Sequence, residues 1–545
     1  MRFVSPPVSL SSRRAPALVA LLSLLLVLCA LDPAGDYPTC PQGPGLALDE
    51  AFNIEQGIYL VEACRSYGLG LLHPQSLREV FENELFLPDH PPLGRVAIAL
   101  SHNLCRAIAP TEHNDGLYSA TCARTAPAVA FALLVFLVGS VAARWYGTAG
   151  GVTAAVSLVL MPRLFGHAHL AALETFMGLT YAAALFSVAC WWKTSSPPSR
   201  KTACLSGLVF GLALLTKIQA ILLPIPIVAW AVWHWRGRAI VPLAIWLFVG
   251  YLTFFICWPW LWLDPVGHFV EYFGRTTGRV PIFVWYFGSR LSDLEVPWHY
   301  AIVMFLTTVP VGLHLLGLLG LCAGRQRGRL EPGEQLVLAA LVFPLLLFSL
   351  PGVAVYDGVR LFLVSFPLWG IFVGRGGARA LAWLKQRWSG PRAYAVMSLF
   401  LAAQGYALVT LAPCYLSYYN LLLGGLKGAE RVGMTTTYWG DSVTRRFLEA
   451  TAREVPEQET IVVVPVLHVG LQLGAMSSQS PILRRQRYQL RRWDQVKPAE
   501  RKYVLLFRRQ ADLPPELIEL LPDAEVVTEV RRQGVQLAAV YRLKP

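Results

Sequence analysis

Long apolar stretches separated by short polar gaps constrain this chain more than any other feature of its sequence. A helix that crosses a bilayer needs about 20 apolar residues, and about eleven stretches approach that length. These stretches are residues 15–31, 124–143, 148–166, 174–192, 203–218, 219–235, 241–262, 299–323, 335–353, 359–374 and 394–413. With 55% hydrophobic and 15% charged residues, the chain is too apolar for a soluble globular protein. The sequence therefore predicts an α-helical membrane protein with multiple spans.

Lysine and arginine collect in every second gap between these stretches. The basic segments are residues 2–14, Arg144, 193–201, 236–238, 325–329 and 375–392. Short loops rich in these residues mark the cytoplasmic side of a membrane protein, so the other gaps are predicted to face outward. Contact of the basic loops with anionic lipid accounts for much of the net charge of +13. We therefore expect membrane lipids, and no nucleic acid, among the partners.

Four regions follow from this pattern. Residues 1–31 form an N-terminal span, 32–118 a first outward loop, 119–413 the helical membrane domain, and 414–545 an outward tail. The first span could be a cleaved signal peptide. We favour a retained anchor, because no clean cleavage site of small residues follows it. In the first outward loop, apolar periodicity predicts helices over 48–67 and 92–108.

The tail lacks long apolar runs and alternates helix and strand patterns, which predicts a small α/β domain. We expect a helix over 441–455, strands over 461–466 and 503–507, and a hairpin of 525–530 with 535–541. Its densest basic segment is either a solvated face or a surface for anionic lipid or an acidic glycan. This segment contains Arg484, Arg485, Arg487, Arg491 and Arg492.

The ten cysteines have no CxxC or Cys/His spacing typical of a zinc site. Cys40, Cys64 and Cys105 are predicted outside, where a disulfide is permitted, but their spacing does not reveal a pairing.

Charged side chains beside membrane spans are costly and often functional. Lys217 joins two apolar stretches at the outer side, where its ammonium could bind a lipid phosphate or extend to the headgroups. Asp49 and Glu50 are adjacent, so on a helix they diverge by about 100° and cannot both address one atom. One could work on a reaction while the other holds a neighbouring group, or the two could be an ordinary acid pair at a helix N-terminus.

Histidines and an arginine lie in the same outward gaps. His90 precedes two prolines and is held in an extended segment beside Asp89. His167 and His169 are two residues apart, whereas a helical metal pair would be four apart. Arg360 follows Asp357 closely and could either clamp a phosphate or pair with that aspartate.

These residues carry a family resemblance. The chain resembles the GT-C-type membrane glycosyltransferases of the protein O-mannosyltransferase class, glycosyltransferase family 39. It is especially similar to their bacterial relatives, which include the aminoarabinose transferases that act on lipid A. The shared motifs are LDE at 48–50, HPPLGR at 90–95, FGHAH at 165–169 followed by Glu174, GLALLTK at 211–217, PWHY at 297–300 and YDGVR at 356–360. Two positions depart from the pattern, because Arg95 replaces the usual lysine and Glu174 a frequent aspartate.

The resemblance implies a GT-C fold and transfer of a mannose-like or related sugar, with inversion, from a polyprenyl-phosphate donor to an acceptor hydroxyl. The site would face outward from the inner (plasma) membrane. Asp49 would be the catalytic base and Glu50 would orient neighbouring groups. The implied substrate-binding residues are His90, Arg95, His167, His169, Glu174, Lys217, His299, Asp357 and Arg360. No cofactor or metal is implied, since cations would receive the phosphate charge, although a divalent metal stays open.

The acceptor stays open among a protein, a lipid and a glycan. The outward loop before Trp298 is too short for the lectin-like repeats of eukaryotic relatives, which disfavours their type of protein acceptor. Two other functions are compatible with a polytopic chain: a transporter or flippase of lipid-linked sugars, and an inactive binding scaffold. A transporter should place polar groups near the bilayer midplane, whereas here most of them cluster at one predicted face.

Overall fold

The computed structural model describes residues 10–32, 35–37, 40, 42–110, 118–278, 280–322 and 330–544. The α-helices are α1 (Leu10–Leu28), α2 (Leu48–Tyr67), α3 (Pro74–Phe81), α4 (Pro92–Ile108), α5 (Ala120–Ala123), α6 (Thr125–Val159), α7 (Pro162–His167), α8 (Glu174–Trp191), α9 (Arg200–Leu214), α10 (Pro224–Trp235), α11 (Ile240–Ile256), α12 (Trp260–Leu263), α13 (Pro265–Thr277), α14 (Tyr300–Thr308), α15 (Val311–Cys322), α16 (Pro332–Leu347), α17 (Ser365–Arg387), α18 (Gly390–Gln404), α19 (Tyr406–Thr410), α20 (Gly425–Arg431), α21 (Arg445–Glu454), α22 (Gln472–Gln479), α23 (Pro481–Gln486) and α24 (Pro515–Leu520). The strands are β1 (Phe283–Tyr286), β2 (Ser289–Ser292), β3 (Thr460–Val464), β4 (Gln489–Arg492), β5 (Tyr503–Phe507), β6 (Glu525–Arg532) and β7 (Val535–Arg542).

The predicted helical character of residues 119–413 is confirmed, and one apolar stretch, 299–323, has an unexpected break. The predicted stretches 124–143 and 148–166 form the two halves of α6, and Gly147, with φ 78° and ψ 179°, reverses the chain between them. The halves then pack so closely that a Cβ on Gly139 would lie 2.9 Å from that of Ala155. The stretch 299–323 divides into α14 and α15, which meet at 107° around Pro310. Proline cannot continue a helical hydrogen-bond ladder, which accounts for this break.

Among the described residues, three helical segments are long and apolar enough to cross a membrane. They are Ala120–Val159, Ile218–Ile256 and Gly390–Thr410, and the bent pair α14–α15 makes a fourth if it is one span. Other apolar helices fall short of a full crossing, such as α9 with 15 residues and α16 with 16. The number of about eleven spans therefore stays a prediction.

Basic segments meet at one end of the helical domain. Glu334, near the start of α16, accepts hydrogen bonds from Tyr146 at 2.8 Å and Arg375 at 3.1 Å. Its neighbour Gly333 lies against Ala189, near the end of α8 and the basic segment that follows. The helices that leave this end carry the chain to the opposite one, where the outward gaps with the acids and histidines lie. Residues 2–9 and 325–329 are outside the described residues.

The two helices predicted in the first outward loop are α2 and α4, with the predicted bounds. The Glu50 side chain accepts a hydrogen bond from the backbone N–H of Ala47 at 2.7 Å, which satisfies a donor at the start of α2. Pro92 occupies the first turn of α4, where its missing N–H costs nothing.

The tail contains the predicted β-structure in a five-stranded sheet with the order β4-β3-β5-β7-β6. Strand β3 runs parallel to β4 and β5, and β7 runs antiparallel to β5 and β6. The predicted helix over 441–455 is α21, which begins later, at Arg445. The sequence did not predict the edge strand β4 or the hairpin β1–β2. Strand β4 reads QLRR, a short polar strand of the kind that protects a sheet edge.

Asp441, between the helical domain and this sheet, has a buried carboxyl group with a raised pKa. Thr437 donates to its Oδ1 at 3.1 Å, and no partner for Oδ2 occurs among the described residues. Burial raises the pKa of Asp441 from 3.8 to about 6. The protonated form is therefore favoured by folding. The stability that the protonated Asp441 carboxyl contributes is fully present below pH 3.8 and is lost as the pH rises through about 6.

We expect Asp441→Asn to stabilise the protein at pH 8 and to leave stability nearly unchanged at pH 4. The variant removes a buried charge whose displaced pKa corresponds to about 3 kcal/mol. Thermal unfolding of the purified protein at both pH values measures this. Equal effects at the two pH values would contradict it.

Candidate active site

Asp49 and Glu50 point to different surroundings, as their adjacent positions in the first turn of α2 require. Glu50 is fully buried, and each of its carboxylate oxygens bonds Arg124, at 2.7 and 2.6 Å. It also accepts the backbone N–H of Ala171 at 2.7 Å. With these partners and Ala47, both oxygens of Glu50 are saturated. Glu50 therefore holds α2 against the segment that precedes α8.

Arg124 extends this anchor to the rest of the first outward loop. Its Nη1 donates to the backbone oxygens of Leu31 and Pro44 at 2.9 and 2.8 Å, and its Nη2 to that of Gly45 at 2.8 Å. Guanidinium and carboxylate are both excluded from solvent, so each compensates the other's desolvation. The Glu50–Arg124 pair fixes where the first turn of α2, and thus Asp49, can lie.

Asp49 faces a cluster centred on Arg360. The Arg360 guanidinium bonds three carboxylates: Asp49 through Nη2, Glu174 through Nε at 2.6 Å, and Asp357 through Nη1 at 3.2 Å. The guanidinium also lies 4.6 Å from the ring of Trp439. The Arg360 side chain is 10% exposed and that of Asp49 is 21% exposed, so the cluster is open on the side of Asp49.

Lys217 brings a second cation to the cluster. Its Nζ lies 2.5 Å from Glu174 Oε1, the same oxygen that Arg360 contacts. Both side chains are nearly inaccessible to solvent, and Glu174 Oε2 has no partner among the described residues. One carboxylate oxygen thus holds an ammonium and a guanidinium together. Two adjacent cations of this kind are suited to an anionic group such as a phosphate.

Asp357 joins the cluster to the tail domain. It has φ 53°, in the left-handed region that aspartate tolerates better than most residues. Asp357 Oδ1 accepts a hydrogen bond from Arg509 at 2.8 Å, and Oδ2 accepts one from Trp439 at 3.2 Å. Burial alone would raise the pKa of Asp357, but the charges of Arg509 and Arg360 hold it below its usual range.

His468 of the tail lies on the other side of Asp49. Its Nε2 is 3.9 Å from Asp49 Oδ1, and its ring packs edge-on against Phe52 with centroids 4.8 Å apart. Burial lowers the pKa of His468 despite the neighbouring carboxylate of Asp49. The imidazole is therefore neutral at pH 7, and Arg360 is the cation that contacts Asp49.

The HPPLGR segment packs against the residues that precede Lys217 and Glu174. Arg95 is buried, pairs with Asp89 at 2.8 Å and donates to the backbone oxygen of Leu87 at 2.9 Å. The N–H of Leu93 bonds the oxygen of Leu215 at 3.0 Å, two residues before Lys217. Gly94 permits close contact, because a Cβ there would lie 2.6 Å from Leu173, next to Glu174. His90 is half-buried, and its Nδ1 has no partner among the described residues.

The other three predicted histidines occupy separate places. His167 packs edge-on against Trp439 at 5.2 Å between ring centroids, so it borders the Arg360 cluster. His169 turns away, with Nδ1 2.9 Å from the Phe165 oxygen. His299 bonds the Tyr286 hydroxyl at 2.8 Å, at the β1–β2 hairpin. The described contacts therefore bring His167, but not His169 or His299, to the cluster.

Several site residues were missed by sequence reasoning: Arg124, Arg163, Trp439, His468 and Arg509. Trp439 lies in the aromatic block YWGD at 438–441, which stands out in the sequence but was given no role in the site, whereas the arginines have no local signal, because their partners are far away in sequence. Arg163 is buried, and both its Nη atoms lack partners among the described residues. Its Nη1 would lie 2.6 Å from a Cβ on Gly358. That glycine lets the Asp357 turn pass over the guanidinium.

Within the described ranges, no three His, Cys, Asp or Glu side chains are grouped in a way that could hold a metal ion. The three carboxylates around Arg360 are directed at cationic side chains instead. The arrangement offers one partly exposed carboxylate and two cations in a mostly dehydrated setting. Such a set can take a proton at Asp49 and stabilise negative charge at Lys217 and Arg360.

Comparisons with known proteins identify the fold that carries this site. Residues 89–263 match the family model described as dolichyl-phosphate-mannose-protein mannosyltransferase. The structure of ArnT from Cupriavidus metallidurans in the apo state superposes with a TM-score of 0.52 at 13% identity, over 96% of this chain and 97% of that one. The chain has the fold of the GT-C glycosyltransferases. The resemblance predicted from the motifs is thereby confirmed.

Two further structures of GT-C proteins are similar at lower TM-scores. ArnT from the same organism bound to undecaprenyl phosphate gives 0.48 at 14% identity, over 96% of this chain and 97% of that one. The oligosaccharyltransferase AglB from Archaeoglobus fulgidus, in complex with an inhibitory peptide and a dolichol-phosphate, gives 0.48 at 12% identity, over 92% and 70% of the chains. A search of curated protein sequences found no match.

We expect Arg124→Gln to destabilise the protein by about 3–5 kcal/mol, because it leaves the Glu50 carboxylate buried without its counter-ion. Thermal unfolding in detergent measures this loss. Arg144→Gln is the matched control, since Arg144 is exposed and lies at the opposite end of the helices. Equal stability of the two variants would show that the Glu50–Arg124 pair does not anchor α2.

Proposed function

We propose that this GT-C-fold protein is a membrane glycosyltransferase that moves a sugar from a polyprenyl-phosphate donor to an acceptor hydroxyl. The observation that carries the proposal is the pairing of Asp49 with Arg360 beside the Lys217–Glu174 pair. A carboxylate for the acceptor proton and cations for the departing phosphate are the two things that such a transfer needs. The family description for residues 89–263 supports a lipid-phosphate sugar donor.

Asp49 acts as the base. The acceptor hydroxyl loses its proton to an Asp49 oxygen as its own oxygen bonds the anomeric carbon of the sugar. The bond from that carbon to the phosphate oxygen breaks, and the electron pair leaves with the polyprenyl phosphate. Attack opposite to the leaving group inverts the anomeric centre. Glu50 takes no part in proton transfer and positions Asp49 through Arg124.

Lys217 and Arg360 receive the phosphate. The Arg360 guanidinium has five N–H donors and bonds three carboxylates, so an arriving phosphate can use the remaining donors or take the place of a carboxylate. Asp49 is the most exposed of the three carboxylates, so it is the one that a phosphate can displace most easily from Arg360. A phosphate that takes the place of Asp49 at Arg360 frees the Asp49 carboxylate at the moment when the acceptor needs a base.

The remaining predicted residues act around this centre. We assign His90 and His167 to the donor head group, because both border the cluster and have unpartnered ring nitrogens among the described residues. Glu174 and Asp357 align the cations, and Arg95 holds the HPPLGR segment through Asp89. Direct substrate contact by His169 and His299 stays a prediction.

The site faces outward from the inner (plasma) membrane in this proposal. The support is the separation of the basic segments, which meet around Glu334, from the acids and histidines at the other end of the helices. The tail, residues 414–545, then lies outside as well. The sugar is mannose or a related sugar, and the acceptor is a protein, a lipid or a glycan.

A transporter or flippase of lipid-linked sugars is the second candidate. Its polar groups should lie near the bilayer midplane on broken spans. The bent pair α14–α15 is one such broken helix. However, the charged cluster involves the start of α2, the start of α8 and the turn before α17, all at helix ends. This placement favours the transferase.

We expect Asp49→Asn to lower sugar transfer about 10²- to 10⁴-fold, since one positioned base contributes that much. The variant should still fold, because Arg360 keeps Glu174 and Asp357 as counter-ions. Transfer from a radiolabelled polyprenyl-phosphate sugar measures it. Glu62→Gln, which removes an exposed carboxylate from the same helix, is the control and should keep full activity. Near-wild-type transfer by Asp49→Asn would end the assignment of the base.

We expect Lys217→Gln and Arg360→Gln each to weaken donor binding, because each removes a positive charge next to the phosphate. A charge-assisted hydrogen bond contributes about 1.5–3 kcal/mol, which corresponds to roughly a 10- to 150-fold rise in the donor Kd. Arg275→Gln neutralises an exposed arginine of α13 and serves as the control. Unchanged donor binding in both site variants would mean that these cations serve only structural pairing.

A further inference from the structure

We propose that the C-terminal domain is part of the active site, with Arg509 as a positioning residue that acts on Arg360 through Asp357. The expected effect on donor binding rests on the proposed function. Its structural core is a set of buried contacts that cross from the tail sheet to the helical domain.

Arg509 follows β5, the central strand of the tail sheet, and its guanidinium is held at several points. Nε pairs with Asp512 at 2.6 Å, and Nη1 donates to the backbone oxygen of Tyr438 at 2.8 Å. The same Nη1 lies 2.8 Å from Asp357 Oδ1. The arginine is 5% exposed. Because its position is set by the sheet, Arg509 transmits the position of the tail to Asp357.

Asp357 is the link between two arginines of different domains. One oxygen faces Arg509, while the other faces Arg360 and the indole N–H of Trp439. Trp439 also belongs to the tail, and its ring lies 4.6 Å from the Arg360 guanidinium. Arg360 is therefore held from one side by its own turn and from another by the tail. Its remaining bonds run to Asp49 and Glu174, the groups closest to the chemistry.

The charge on Asp357 explains what the tail contributes. Arg509 offsets part of this charge, so Asp357 steers Arg360 without fully neutralising it. Without Arg509, the whole carboxylate charge would be directed at Arg360, and an incoming phosphate would compete with a stronger partner. Burial makes the effect large, because an unpaired carboxylate in a dry site interacts strongly with the nearest cation.

The first experiment compares Arg509→Gln with Arg508→Gln. Arg508 is the adjacent arginine of the same segment, but it bonds the neutral Gln536 at 2.9 Å and, within the described part of the chain, makes no hydrogen bond to the cluster. We expect Arg509→Gln to raise the donor KM roughly 2- to 30-fold, the range for a residue one contact removed from a ligand. The acceptor KM should not change, and Arg509→Lys should recover part of the loss. A donor KM equal to that of Arg508→Gln would overturn the proposal.

The second experiment tests whether Asp357 carries the effect. In an Asp357→Asn background, Arg509→Gln should raise the donor KM no further. The reason is that the carboxylate charge that would otherwise act on Arg360 is absent. Equal fold-changes with and without Asp357 would contradict the proposal. They would mean that Arg509 acts only by stabilising the tail.

A third measurement does not depend on turnover. Hydrogen–deuterium exchange of peptides covering residues 353–362 should increase in Arg509→Gln relative to Arg508→Gln, because the turn loses its tail contact. If the wild type transfers no sugar but this exchange difference is present, the proposed function fails and the domain contact stands. If the wild type is active and the exchange is equal in both variants, the inference alone fails.

Discussion

The desolvated guanidinium of Arg360 is the constraint on which the site depends. Burial of a cation is costly without a counter-charge, and the carboxylates that contact Arg360 come from three parts of the chain. Asp49 comes from the first outward loop, Glu174 from the start of α8, and Asp357 from the turn before α17. The same requirement brings Lys217 to Glu174. Segments that are hundreds of residues apart must therefore meet at one end of the helices.

Local patterns were sufficient for much of the fold. The bounds of α2 and α4 follow from apolar periodicity and from the proline in the first turn of α4. Strand β5 and the β6–β7 hairpin follow from apolar runs and a turn at Gly534. The break at Pro310 was not predicted, because a single proline does not reveal the angle it permits. The number of spans depends on bilayer contacts, which local hydropathy describes only approximately.

The site was predictable where charge sits in an apolar setting. Lys217, Glu174 and Arg360 stand out for that reason, and the structure groups them. The different roles of Asp49 and Glu50 depend on Arg124, which is 74 residues from Glu50 and lies in no recognisable motif. The contact of Arg509 with Asp357 spans 152 residues and two domains. Such pairs are properties of the tertiary fold, and one sequence contains no local signal for them.

Sugar transfer by the purified protein in detergent tests the central claim most directly. A transferase needs its donor, its acceptor and one compartment, whereas a transporter needs two compartments separated by a membrane. We expect detergent-solubilised wild-type protein to release polyprenyl phosphate and form glycosylated acceptor when supplied with a polyprenyl-phosphate sugar and a membrane extract as the acceptor source. Movement of the lipid-linked sugar across sealed vesicles, with no glycosylated product in either preparation, would contradict the account.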